Sequence, residues 1–595
     1  MTANAVDYTV PGTHTTISNA IAASNTAGGS NTVTISENQT ITATIANIMA
    51  SVSISGNDTA NLVQIDMGTT GRFNFNGGNT YSLNNLSIIN GSNNANGAVI
   101  YNPFGGLTIN NCVFNNNTTT ASGAVAYNSG RTTTNISNCS FTNNNAGPNG
   151  GVMQNTGATE VNITSSKFIN NSARYGGAIY NTDSGNVNIS NSDFENNTVT
   201  GNGGAIFSSD TAMNLYNCNF NSNSGVVGGA IDTLDGNVTI ENCSFRENNS
   251  SVTGGAIYHS GGTLTINGSS FESNTTVDDG GGIVNHSGEL YLTNSIFTNN
   301  ESGRSGGAIY SSEKVDISNS TFTSNTAING GAVNLYGSTI TSSIIDNCLF
   351  QDNDATGSGG GIYSVQRTLS ILNSTFQNNT AASNGGAINK SGALDVTNTN
   401  FTNNQARNNG GAVLSTGTSE INNCRFISNS ASIGGALHLS NASNNSIENC
   451  LFENNSATVY GGAIYNSSNI NMTSSIFNNN TANNGGAIYN SSYMNITSNI
   501  FNNNTANNGG AIYHSFGIMS LDNSSVITNN TASVNGGGIF NGSSGIINLD
   551  ISTGDMAFRG NTAAGINNDI HNNGFFNITG SNTLYFEGGI SGNNS

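Results

Sequence analysis

Phe477–Asn490 reads FNNNTANNGGAIYN, and Phe501–His514 reads FNNNTANNGGAIYH, the same stretch 24 residues further on. Earlier Phe-x-x-Asn signals open at Phe114, Phe141, Phe168, Phe194, Phe220, Phe245, Phe271, Phe297, Phe322, Phe350, Phe376, Phe401, Phe426 and Phe452. Gly-Gly-Ala-Ile or a close variant stands between successive signals. A fixed period of this length marks a repeat architecture. In the copy starting at Gly176, the residue at the Ile179 place stays aliphatic through the repeats (Ile206, Ile231, Ile257, Val333, Leu437, Ile464). The next residue varies freely (Phe207, Asp232, Asn334, His438, Tyr465). Strand alternation therefore turns the first inward and the second outward. Val187 and Ile189 alternate again, and so do Ser192 and Phe194. Ile189 and Ser192 are out of phase, so the chain must turn a corner at Asn191, a residue that tolerates left-handed backbone. A second corner falls at Asn196-Asn197, and the paired glycines make the third.

Three short strands and three corners in about 25 residues predict an all-β, single-stranded parallel β-helix, a solenoid in which each side chain stacks on its copy one coil away. Right-handed crossing is the general preference for parallel strands, so a right-handed coil is expected. Stacked Phe, stacked Ile and ladders of Asn amides would supply the core. About 20 coils at about 4.8 Å each predict a rod of order 100 Å. Helical repeats fit badly, because Gly pairs and β-branched residues disfavour helix.

The 595 residues hold 12 Lys and Arg against 32 Asp and Glu, a net charge of −20. So few basic groups argue against nucleic acid and against anionic lipid as partners. Met1 to Asp7 lacks the basic start and apolar core of a secretory signal. No apolar run nears the roughly 18 residues that span a bilayer, so no membrane insertion by this segment is expected. The chain reads as soluble, compatible with a piece of a longer surface protein.

Along the chain, residues 1–30 read as an N-terminal cap with a short helix, since Ile17, Ala20 and Ile21 follow helical spacing after Thr15 and Thr16. Residues 31–110 read as irregular first coils, 111–541 as regular β-helix repeats and 542–595 as irregular last coils. Val526 reads as the replacement for the motif Phe where the pattern breaks.

The two alternating motifs, in register over residues 97–541, resemble the passenger region of the chlamydial polymorphic outer membrane proteins. Asn-rich adhesin-like β-helix proteins of other microbes carry similar repeats. The resemblance implies a β-helical adhesin, secreted or displayed at the cell surface in association with an outer membrane, and exported as an autotransporter passenger. Neither a signal peptide nor a C-terminal membrane barrel is recognisable in this sequence.

The chemistry-bearing residues are few. Cys112, Cys139, Cys218, Cys243, Cys348, Cys424 and Cys450 each lie two before a motif Phe, where other coils carry Ser. No C-x-x-C pair exists, so the favoured reading is buried free thiols, ahead of disulfides between neighbouring coils. His259 and His514 read as outward residues following Tyr258 and Tyr513, with His286 one coil beyond the first. Asp278, Asp279, Asp352 and Asp354 sit in corners beside Gly, where Asp is ordinary. Short corners give little material for a concave catalytic site. No metal, cofactor or catalytic residue is assigned. The candidate binding surface is the outward row Tyr465, Tyr489, Tyr513 and Phe540, in successive coils. Tyr joins apolar area to a polar tip and is enriched at recognition surfaces. The bland alternative is that the rings only stabilise their sheet. The expected function is non-enzymatic: a monomeric surface rod binding a host or cell-surface protein or glycan. A carbohydrate-active lyase or hydrolase is second, and a structural surface layer third.

Overall fold

Each coil is built by four strand segments, as in Ile179–Thr182, Val187–Ser190, Asp193–Glu195 and Thr198–Val199. The computed structural model describes residues 5–45, 47–130, 133–157, 160–337 and 342–593. It is an all-β parallel solenoid of about 22 turns with about 26 residues per turn. The first two segments lie in one sheet, the Phe strand in a second and the short last segment in a third. The two-residue segment is the feature that the sequence reading assigned to a corner. Its inward residue is a small one, such as Ala173, which carries no strand signature. Asn191 and Asn196 take φ of 50° and 52°, as the corner reading requires. Among the described residues no helix is long and apolar enough to cross a membrane.

The chain divides into two compact units, one of Met1–Tyr291 with Asn300–Ser302 and one of Leu292–Asn299 with Gly303–Ser595. In the first unit the strand Asp7–Val10 comes first, and the helix Ile17–Ala27 that follows it buries Ile17, Ala20, Ile21 and Ser24. Thr16 caps it by accepting from the Asn19 N–H at 3.2 Å. Asn31 ties the helix end to the first coil, donating to the Ser24 and Gly28 carbonyls at 3.1 and 3.0 Å. In this unit Phe114, Phe141, Phe168, Phe194, Phe220, Phe245 and Phe271 form one buried column, with ring centroids 4.6 to 5.1 Å apart. In the second unit the column runs from Phe297 to Phe501, with the same near-parallel stacking. Burying each ring contributes roughly 1.5–3 kcal/mol, and the offset stacks add to it.

The Asn of each Phe-x-x-Asn signal points inward and does three jobs. Asn404 Nδ2 donates to the Phe376 carbonyl of the coil before at 2.9 Å and to Asn429 Oδ1 of the coil after at 3.0 Å. Its Oδ1 accepts from both the backbone and the side-chain N–H of Asn379, at 3.1 and 3.0 Å. The second unit's ladder runs from Asn325 through Asn530 to Asn561, whose Nδ2 donates to the buried Asp569 carboxylate at 2.9 Å. The two glycines of the motif have separate causes. Gly485 takes φ +69°, whereas a Cβ on Gly486 would lie 2.1 Å from the Gly510 carbonyl of the next coil.

One reading of the break is corrected. Ile527, not Val526, takes the Phe place: it pairs with Phe501 and is 1% exposed, while Val526 pairs with Ile500 and is 40% exposed. Both are aliphatic, and only the strand register separates them.

Candidate functional site

The strands that follow each glycine pair hold Ile464, Ile488, Ile512 and Ile539 in one inward line. The same register holds Tyr465, Tyr489, Tyr513 and Phe540 in one outward line. Their rings stack with centroids 5.4, 5.0 and 4.6 Å apart and planes within 16° of parallel. The row is longer than the sequence reading gave. His438 lies against Tyr465 at 4.6 Å, tilted by 32°, and His571 stacks on Phe540 at 5.2 Å. Tyr460, from the loop entering the Gly461-Gly462 turn, leans on Tyr489 at 4.5 Å. All six rings of the line are half-buried. Burial, then neighbouring tyrosines, raise the Tyr513 phenol above its ordinary range. Burial raises that of Tyr489, against a Ser515 hydrogen bond that lowers it. Because each ring face is covered by the next ring, the line offers a partner its edges and a ladder of hydroxyls. His438 and His571 carry no hydrophobic signature, so nothing in the motif marks them as rungs.

His259 and His514 are corrected. Both are fully buried. Alternation runs one residue further than the reading took it: Ile257 in, Tyr258 out, His259 in. They belong to an inward polar column, which in the first unit runs Asn102, Asn128, Asn155, Asn181, Ser208, Thr233, His259. Thr233 Oγ1 lies 2.8 Å from His259 Nδ1. In the second unit His514 Nε2 donates to the Gly517 carbonyl at 3.0 Å, so Nδ1 accepts from Asn490 Nδ2 at 3.0 Å. The same column holds Lys390, fully buried, whose Nζ donates to the carbonyls of Gln366 and Ser391. Burial pushes its pKa down to about 8.

Burial drives His259 down to about 4, against an ordinary 6.5. The imidazole is therefore neutral in the fold, while the unfolded chain takes a proton near pH 6.5. Stability from this site is complete above that pH and is lost as pH falls towards 4, by up to about 3 kcal/mol. Asp232, raised to about 7 by burial, acts oppositely: its contribution is present below pH 3.8 and lost as pH rises through 7. His259→Asn, which restores the residue type of Asn155 and Asn181, should remove this loss, so that the wild-type-minus-variant stability difference falls by up to about 3 kcal/mol between pH 6.5 and 4. Hydrogen exchange on the strands around residue 259 measures this, and identical acid limbs would contradict the buried neutral imidazole.

All seven cysteines are buried and free. The Cys348 thiol donates to the Asp346 carbonyl at 3.2 Å, as Ser192 Oγ does to Ser190 at 2.8 Å. Burial pushes Cys348 up to about 12, which makes it an inert thiol. Among the acids, Asp352 sits at a corner with φ 54° and accepts from Asn378 Nδ2 at 3.0 Å and Gln351 Nε2 at 2.9 Å. Asp354 accepts from the Thr380 hydroxyl. Among the described residues no three His, Cys, Asp or Glu side chains gather as a metal site would require.

The family model for the right-handed β-helix region matches residues 149–297 and 387–562, more than half of the chain. The chain belongs to the right-handed β-helix family. Within this β-helix, residues 294–312, 347–365 and 373–389 match the Chlamydia polymorphic membrane protein repeat. Each matched segment spans one Phe-x-x-Asn signal and the glycine turn after it, as in Phe376, Asn379 and Gly385-Gly386. No relative among curated proteins matches. Among solved structures, a mutant form of the PL6 family alginate lyase AlyGC aligns over 97% of this chain and 100% of its own, at 11% identity and a TM-score of 0.26. A superposition that poor carries no weight for fold or activity.

Proposed function

We propose that this right-handed β-helix is a surface-displayed, non-catalytic adhesin that binds a host or neighbouring-cell protein or glycan through its lateral face. The observation that carries the reading is the match of three coils to the Chlamydia polymorphic membrane protein repeat. The supporting geometry is the line from His438 to His571, which repeats one kind of contact at one-coil spacing. Repeated weak contacts raise avidity without any deep pocket. Since the ring faces are occupied by one another, the phenol hydroxyls and ring edges make the contact.

The test keeps the stack and removes the hydroxyls. Replacing Tyr465, Tyr489 and Tyr513 together by Phe should weaken adhesion of the purified chain to cells about tenfold, with melting unchanged, while single replacements do little. Asp352→Asn and Asp354→Asn should leave adhesion untouched, because the reading gives neither carboxylate a catalytic task. Full adhesion in the triple variant would remove this line from the site. Polysaccharide degradation that vanishes with either Asp→Asn change would replace the adhesin reading with an enzyme.

A further inference from the structure

In the second unit the Phe sheet turns two columns of side chains outward, one on each side of the buried Phe column. The first runs Arg425, Leu451, Ile476, Ile500, Val526 in successive coils, and the same register continues it to Ala557. The second runs Ile427, Glu453, Asn478, Asn502, Thr528 and Arg559. Ile476, Ile500 and Val526 are 36%, 38% and 40% exposed, while Phe477, Phe501 and Ile527 beside them are buried. In the first unit the same place is polar from Ser140 through Lys167, Asp193, Asn219 and Ser244 to Ser270. The aliphatic ridge is therefore a property of these coils and not of the repeat. It has a charge at each end of the patch, with Arg425 and Glu453 towards one end and Arg559 at the other.

We infer that this face is a contact surface for a second copy of the chain, packed across a two-fold axis that runs along the strand of Ile500. That differs from the monomeric rod expected from the sequence. Such an axis keeps the strand direction and reverses the order of the coils, so each column faces itself. In the first column Ile500 meets the partner's Ile500, Ile476 meets the partner's Val526, and Leu451 meets the partner's Ala557. In the second column Asn502 meets the partner's Asn502, Asn478 meets the partner's Thr528, and Glu453 meets the partner's Arg559. Apolar groups meet apolar groups, polar groups meet polar groups, and the Glu–Arg pair forms twice, once on each side of the axis. Packed sheets lie about 10 Å apart, a gap that facing aliphatic side chains fill and a Glu–Arg pair spans.

Other placements lose this match. An axis midway between Ile476 and Ile500 brings Arg425 and the partner's Arg559 into facing coils, like charges in one place. An axis along the stack of coils sets the first column against the second, so that Leu451 meets the partner's Glu453. The coils from Arg425 to Arg559 extend about 24 Å, and a three-residue strand is about 10 Å wide. A patch of that size buries less than the roughly 1,200 Å² of a stable complex, so the pair is weak and reversible. The inference goes beyond the adhesin reading, because the tyrosine line lies in a different sheet and stays uncovered.

Sedimentation equilibrium of the whole chain, up to about 0.5 mM, tests it at concentrations that populate weak contacts. Wild type should show a monomer–dimer equilibrium. Glu453→Arg and Arg559→Glu should each weaken it at least about tenfold, because each sets like charges against one another on both sides of the axis. An equimolar mixture of these two variants should pair again, since each copy then offers the other the opposite charge, and the double variant should pair with itself. Ile500→Asp, on the axis, should abolish pairing. Should that change lower the melting temperature, the charge variants decide alone, since Glu453 is half-buried and Arg559 exposed at the surface of the sheet. A wild type that stays monomeric overturns the inference. So does a dimer that both single charge variants leave intact, or a mixture of the two that stays monomeric.

Discussion

Ile464→Asp is expected to unfold the coils around it, with a loss of about 4 kcal/mol or more, while Tyr465→Asp costs about 1–2 kcal/mol. The two positions are neighbours on one strand and differ only in the side they face. Ile464 is fully buried and stacks between Leu437 and Ile488. An aspartate there places a carboxylate between aliphatic rungs with no opposite charge. Tyr465 is half-buried, so an aspartate in its place reaches water and forfeits chiefly the stacking on His438 and Tyr489. In a solenoid each coil is held by its neighbours alone, so the damage should be local. Hydrogen exchange should accelerate first in the strands Leu437–Leu439, Ile464–Asn466 and Ile488–Asn490. Ile464→Val, a shortening by one methyl, should cost about 1 kcal/mol. Equal losses in the two Asp variants would mean that the facing is reversed.

The fold was legible because its interior is written in residues that can be recognised one by one. Phe114 to Phe501, the aliphatic line through Ile464 and the glycine pairs each repeat one chemical type at one place. Ladders of Asn amides in the core were legible too; what escaped was the second inward polar column, the one that holds His259, Lys390 and His514. Reading polar residues as outward is right for an ordinary sheet, but here an amide can satisfy itself on its own copy one coil away. Asn466 Nδ2 donates to Asn490 Oδ1 at 2.7 Å inside the solenoid, and His514 accepts from Asn490 in the same column. Lys390 is hidden for the same reason. The site was legible only in part. The period gives Tyr465, Tyr489 and Tyr513, but not that their faces close on one another. The matched polymorphic membrane protein repeats cover the Phe stack, the Asn ladder and the glycine turn. They identify a scaffold.

The Asn ladder is the element whose removal should be felt most among neutral substitutions. Asn404→Ala is expected to cost about 3–5 kcal/mol, against little for Asn403→Gly one residue before it. Asn403 is exposed with φ 55°, a conformation that glycine adopts freely. Asn404 is fully buried, and truncating it strands the backbone N–H and one amide hydrogen of Asn379 and takes a donor from the Phe376 carbonyl. Each buried group left without a partner costs about 1–3 kcal/mol. Asn404→Asp should be worse than Ala at neutral pH. One carboxylate oxygen would still accept from Asn379, but the other would face the Phe376 carbonyl and Asn429 Oδ1, both acceptors. The ladder's own end shows where an acid is tolerated. Asp569 receives Asn561 Nδ2 at 2.9 Å on one oxygen and the Gly588 N–H at 2.6 Å on the other, so both oxygens face donors. From Asn325 to Asn530 each ladder amide donates one hydrogen to the amide of the next coil and one to a carbonyl of the coil before, so a carboxylate fits only after the last of them. The Asn404→Asp variant should accordingly regain stability as pH falls and its acid is protonated, since a protonated oxygen can donate where the carboxylate could not. Denaturant midpoints for Asn404→Ala, Asn404→Asp and Asn403→Gly across pH decide it. An Asn404→Ala chain within about 1 kcal/mol of Asn403→Gly would show that the ladder is decoration on a core held by Phe and Ile alone.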